Sequence, residues 1–101
     1  MKMLTIVFRQ SLEHDIHKLL KDLGITAFTE APQVQGTGES GSAFQSSNWP
    51  GANSIIMAAV EDQQADRVTE KFKTFHDQLA VRQKGAKVPL RVFALPCERL
   101  L

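Results

Sequence analysis

A short, mostly apolar run opens the chain: residues 3–8 read Met-Leu-Thr-Ile-Val-Phe, rich in β-branched and aromatic types and bounded by polar residues, and predict a first strand. A helical period then begins. Leu12, Ile16, Leu19, Leu20 and Leu23 fall on one stripe at helical spacing, with Ser11 in position to cap the start and Gly24 where a left-handed C-terminal residue belongs. His14, not an acid, holds the third helical position, so no capping box is expected. Residues 26–35 restart a strand pattern through Ala27, Phe28, Thr29 and Val34, interrupted by Pro32, which implies an edge position, a bulge or a bend. Residues 36–53 are dominated by Gly, Ser, Asn, Gln and Thr, with Phe44 and Trp49 as the large side chains, and read as a long polar loop. Residues 54–60 form a short apolar strand, and Asp62 is placed to cap a second helix. The stripe of that helix is Ala65, Val68, Phe72, Phe75 or His76, and Leu79, and residues 84–87 end it. Residues 88–95 give a last strand that Pro96 stops. The order β-α-β-β-α-β predicts an α+β, ferredoxin-like arrangement: an antiparallel sheet with both helices on one face.

Composition narrows the function classes. With 101 residues and no break in composition, one domain spanning 1–101 is expected, large enough for a modest core. Twelve basic against 11 acidic residues leave a net charge of +1, too small a field to hold nucleic acid or an anionic membrane. No apolar run reaches spanning length, so direct membrane insertion is not expected. The start of the chain leads straight into a strand without an apolar leader, and the single cysteine, Cys97, forms no internal disulfide. A cytoplasmic location follows as the expectation.

Candidate chemistry concentrates around the polar segment. Gly36-Thr37-Gly38 gives a G-x-G where a strand stops, and glycines there permit a positive φ or the close approach of backbone N–H groups to an anion. The motif alone is weak, and its plainer reading is a tight turn out of an edge strand. Lys84, Lys87 and Arg91 could supply a basic cluster for phosphate or carboxylate, against the plainer reading of a solvated helix end. Phe44 and Trp49 in a polar loop suggest partner anchors, unless the loop folds back over them. His14 and His17 are three apart on the first helix, with Cys97 and His76 as remote companions, but no established ligand spacing accompanies them and they read as exposed polar-face residues. Cys97 reads as a small half-buried residue rather than a redox thiol. The serines of the loop lack a neighbouring His-Asp pair, so no activated nucleophile and no enzyme is expected.

In this order of elements the chain resembles the P-II signal-transduction family. Residues 2–8 followed by 12–24 resemble the family's first strand and helix, including the Leu23-Gly24-Ile25 turn. Val34-Gln35-Gly36-Thr37-Gly38 matches the Val-x-Gly-x-Gly that leads into the family's T-loop, here residues 36–53. Residues 60–68 resemble the family's strand-to-helix turn, and Arg91-Val92-Phe93-Ala94-Leu95-Pro96-Cys97-Glu98 resembles its Lys-Ile-Phe-x-x-Pro-Val-Glu ending. The resemblance implies a homotrimer with small-molecule sites in the clefts between subunits, sensing adenine nucleotides and in some members 2-oxoglutarate. It implies no required cofactor, and control of a membrane transporter or enzyme through the T-loop. It would place Gly36, Thr37 and Gly38 against phosphate, with Arg91 where the family has a phosphate-binding lysine. Arginine keeps that charge but adds bidentate geometry.

There are departures. Val88-Pro89-Leu90-Arg91 stands in place of the family's Gly-Asp-Gly-Lys phosphate loop, and Pro89 removes an N–H from it. The chain has no tyrosine, which rules out control by tyrosine modification. These differences mark a P-II-like protein rather than a standard nitrogen regulator. The alternative from the same fold is a CutA-like trimeric protein, structural or responsive to divalent metal, without nucleotide binding.

Overall fold

A computed structural model describes residues 1–35, 52–84 and 87–101 in full; between 37 and 50 it describes only the backbone pairing of four two-residue strands. The principal elements are β1 (Lys2–Arg9), α1 (Glu13–Asp22), β2 (Thr29–Val34), β3 (Asn53–Val60), α2 (Asp62–Arg82) and β4 (Leu90–Pro96). The four strands form one antiparallel sheet in the order β2-β3-β1-β4, and the ferredoxin-like arrangement is the one expected from the sequence.

Register follows from alternation. Ile6 stands opposite Ile56 on β3 and Val92 on β4, so one row of apolar side chains crosses three strands on the same face. Leu4, Ile6, Phe8, Ile56, Ala58, Val60 and Leu90 on that face join Ile16 and Leu20 of α1 and Ala65, Val68, Phe72 and Leu79 of α2 in a single core. Both helices therefore cover the same side of the sheet. The opposite side carries the odd-numbered residues of β1 and β3, and among the described residues no helix lies over it.

Local chemistry decides the joints. Helix α1 ends in a Schellman motif: Gly24 has φ +76°, its N–H donates to the Lys21 carbonyl, and the Ile25 N–H donates to the Leu20 carbonyl. Leu20 and Ile25 are both buried, supplying the apolar contact that accompanies this cap. At the other helix the left-handed residue is Lys84, φ +53°, whose N–H donates to the Val81 carbonyl. Helix α2 thus closes at Arg82, ahead of Gly85 and Ala86, which lie outside the described residues.

Two expected caps are corrected. Ser11 sits inside a 3-10 turn, Gln10–Leu12, that precedes α1, so Leu12 occupies the N-cap and no side chain caps the helix. Asp62 is the first residue of α2, with Glu61 at the N-cap; its carboxylate favours the helix dipole but makes no capping hydrogen bond.

Pro32 acts as expected. β2 is an edge strand, and its register against β3 shifts between Ala31 and Val34, with Gln33 at φ +57°. The polar segment that follows carries two short antiparallel ladders rather than plain loop: Thr37–Gly38 with Gly41–Ser42, and Gln45–Ser46 with Trp49–Pro50. Pairing over so few residues leaves no alternation in the sequence from which to foresee it. Both ends of the segment return to the Arg9 end of the sheet, where Val34 pairs with Asn53, the Gln10 N–H donates to the Ala52 carbonyl at 2.9 Å, and the Arg9 N–H donates to the Pro89 carbonyl at 3.0 Å. β4 begins at Leu90 rather than 88 and includes Pro96, which the outer edge strand tolerates.

Candidate functional site

The uncovered face of the sheet is built from alternate residues of strands whose other residues form the core. One row runs Thr29, Met57, Thr5, Phe93 across all four strands, and the next runs Ala31, Ile55, Val7, Arg91. The face is largely apolar, with Met57, Phe93 and Leu95 among its exposed large side chains. An open cavity of about 600 Å³ indents this side, lined by Met3, Thr26, Ala27, Phe28, Thr29, Met57, Ala58 and Ala59. Residues 26–28 precede β2 and stand outside its ladder, so their backbone groups are not committed to strand pairing. The lining offers two threonine hydroxyls and an apolar wall suited to a flat ring, but no charged side chain.

The cations foreseen from the sequence lie elsewhere along the path from α2 into β4. Lys84 occupies the left-handed position at the helix end, and Lys87 is exposed in the connection. Arg91 is exposed on the uncovered face opposite Val7, with Nη1 donating to the Leu90 carbonyl at 3.3 Å. Arg91 and Leu95 are four residues apart on β4, about 13 Å at strand rise, and Leu95 shares its row with Met3 of the cavity. Within the chain the cavity and this cation are separate. Of the glycine motif, Gly36 lies outside the described residues, and Thr37 and Gly38 are described only as backbone paired with Gly41–Ser42. Phe44 also lies outside the described residues, as does the side chain of Trp49.

A second group of polar residues gathers on the helix side of the sheet. Helical spacing puts Glu13 and His17 on one face of α1, and Glu30 reaches them from β2. The His17 Nε2 lies 2.5 Å from the Glu30 Oε1, the ring N–H donating to the carboxylate. One ligand atom from each of the three residues lies within 4.8 Å of the others. A hydrogen bond to Glu30, with burial and the Glu30 charge, raises the Glu13 pKa above its ordinary 4.5. Burial pushes Glu30 up, but the hydrogen bonds with Glu13 and His17 and the His17 charge outweigh it and set that carboxyl lower than usual. The Phe28 ring packs on His17 with centroids 5.8 Å apart and planes tilted by 40°. His14, the helical companion foreseen for His17, is exposed, and His76 pairs with Asp77 at 3.3 Å instead.

Sequence reasoning missed both assemblies. The open-face rows take alternate residues from four strands, and the Glu13–His17–Glu30 group joins residues from a helix and a strand whose pairing no local spacing specifies.

The family model described as "Nitrogen regulatory protein P-II" matches residues 1–97. None of the curated proteins matches the sequence. Among solved structures, CPII from Thiomonas intermedia K12, a nitrogen regulatory PII-like protein bound to ADP, AMP and bicarbonate, is 22% identical with a TM-score of 0.72, over 93% of this chain and 82% of that one. The apo form of CPII superposes with a TM-score of 0.65 at 21% identity, over 93% and 85% of the two chains. A PII-like signaling protein from Thermus thermophilus is 22% identical with a TM-score of 0.59, over 93% and 83%.

Proposed function

The chain belongs to the nitrogen regulatory protein P-II family, and on that premise we propose that it is a homotrimeric regulator rather than an enzyme. In this reading it binds a small anionic effector, an adenine nucleotide first among candidates, in clefts between subunits, and residues 36–53 act on a membrane transporter or enzyme.

The observation that carries this reading is the uncovered apolar sheet face with its cavity. Met57, Phe93 and Leu95 expose roughly half of their surface on a side with no covering helix, a patch that suits burial against further copies of the chain. The cavity supplies the body of a ligand site without charge, and Arg91 supplies charge without a cavity. Their separation within one subunit favours a site completed where subunits meet. The ligands in CPII, ADP and AMP with bicarbonate, pair an aromatic base with anionic groups, and that combination fits an apolar pocket next to a cation. The effector would act by favouring one arrangement of the segment anchored at Ala52 and Asn53, as any coupling between sites requires. Among the described residues no helix is long and apolar enough to cross a membrane, so a transporter target would be reached from outside the bilayer. The structures named above are PII-like rather than CutA-like.

The test is mass determination in solution followed by thermal shift with ADP, AMP, ATP and bicarbonate. A trimer is expected, with a melting temperature raised by at least one adenine nucleotide; a ligand at 100 times its Kd contributes about 2.7 kcal/mol to apparent stability. Arg91→Ala should remove most of the nucleotide shift. A monomer, or a trimer that no nucleotide stabilises, would overturn the reading.

A further inference from the structure

We propose that Glu13, His17 and Glu30 form a binding site for a divalent transition-metal cation of the zinc class, which would fasten the edge strand β2 to helix α1.

The donor set is the first argument. Two carboxylates and one imidazole are ligands that Zn²⁺ accepts together, and three protein ligands leave a fourth position for water. An imidazole in the set argues against Mg²⁺ and Ca²⁺, which take oxygen ligands. Geometry is the second. Bonds of about 2.0–2.2 Å hold tetrahedral ligand atoms roughly 3.3–3.6 Å apart, and the three atoms here already lie within 4.8 Å of one another. Small rotamer changes close the set. The ion would take the place of the proton that now bridges His17 Nε2 and Glu30 Oε1.

Access and support also fit. The His17 and Glu30 side chains are 43% and 17% exposed, open enough to admit an ion and enclosed enough to hold one. Phe28 packs on the imidazole and limits its swing. Two carboxylates converge on one imidazole here, a donor set whose negative charge a dication would offset. The consequence reaches the proposed effector cavity without depending on it. Glu30 faces Ile56 on the core side of β2, while the preceding Thr29 faces Met57 and lines the cavity on the other side. An ion at Glu30 would restrain the strand that carries both.

Chelator-treated full-length protein is titrated with Zn²⁺ by calorimetry and with Co²⁺ by visible absorption, which reports nitrogen and oxygen coordination directly. One ion per chain is expected at micromolar or lower Kd, with His17→Ala and Glu30→Gln each weakening binding by about tenfold or more. His14→Ala and His76→Ala should bind as the parent does. If Glu30→Gln does not fold, as judged by circular dichroism, Glu13→Gln at the first position of α1 reads the same loss. Absence of stoichiometric binding, or binding that survives His17→Ala, would overturn the proposal.

Discussion

On the helix side of the sheet, Leu4, Ile6 and Phe8 of β1 are at most 1% exposed, whereas across the same sheet Met57, Phe93 and Leu95 remain 46%, 52% and 56% exposed. The strands are shared, and only the parity of the residue differs. Helix-side positions are almost uniformly apolar, because two helices remove them from water and a polar group there forfeits hydration. The other face mixes Met, Val, Ile and Phe with Thr5 and Arg91, a composition too apolar for a solvated sheet surface and too polar for a closed core. Burying a large apolar side chain fully is worth about 1.5–3 kcal/mol, so covering the half of each that is still exposed would supply about 2–4 kcal/mol per chain toward association before its entropic cost. One face holds the chain together; the other is suited to contact with further copies of it.

Substitutions should separate these roles. Ile6→Ala, at a fully buried position, is expected to lower unfolding free energy by about 2–5 kcal/mol through lost transfer energy and a residual cavity. Urea denaturation at two protein concentrations measures this, and a loss below about 1 kcal/mol would show that the helix side is looser than its burial suggests. Met57→Glu with Phe93→Glu should do the opposite. The monomer fold should persist by circular dichroism, while sedimentation shows the assembly dissociating at concentrations about tenfold or more above those at which the parent stays associated, since every 1.4 kcal/mol is tenfold. An unchanged oligomeric mass would remove the assignment of this face to assembly.

The helix half of the core was readable from sequence because the 3.6 period picks out Ile16, Leu20, Val68 and Phe72, whereas in β1 Met3 and Val7 are as apolar as Leu4, Ile6 and Phe8, and only the sheet decides which set turns inward. Gly24 and Pro32 were readable for a different reason, since each restricts the backbone by its own covalent structure. The left-handed turn at Lys84 was not, because lysine has no preference for that conformation and a glycine stands next to it in sequence. Ser11 failed as a cap because a 3-10 turn occupies its place. The site was less legible than the fold. The cavity takes residues from three strands and one connection, and Glu30 joins Glu13 only after β2 has been laid along the edge of the sheet, contacts fixed by tertiary packing rather than spacing. Gly36, Thr37 and Gly38 remain expectations for effector contacts, and Phe44 and Trp49 for partner contacts.

Ser54 is the exception that sharpens the contrast. It stands opposite Phe8 on the helix side, is 0% exposed, and its Oγ has no hydrogen-bond partner among the described residues. Leaving a buried hydroxyl unpaired costs about 1–3 kcal/mol, partly offset by the packing that the oxygen still provides. Ser54→Ala removes the orphan oxygen and opens only a small void, so stability should stay level or rise by up to about 1 kcal/mol. The same denaturation series that measures Ile6→Ala reads this small change, and its sign is the informative part. A gain would mean that the helix side tolerates polarity only as a cost, with apolar burial alone holding that face together. A loss would mean that the hydroxyl is paired in solution, at the end of β3 where Asn53 meets both Arg9 and Val34, and that the base of segment 36–51 is held by a polar contact as well as by the Gln10–Ala52 hydrogen bond.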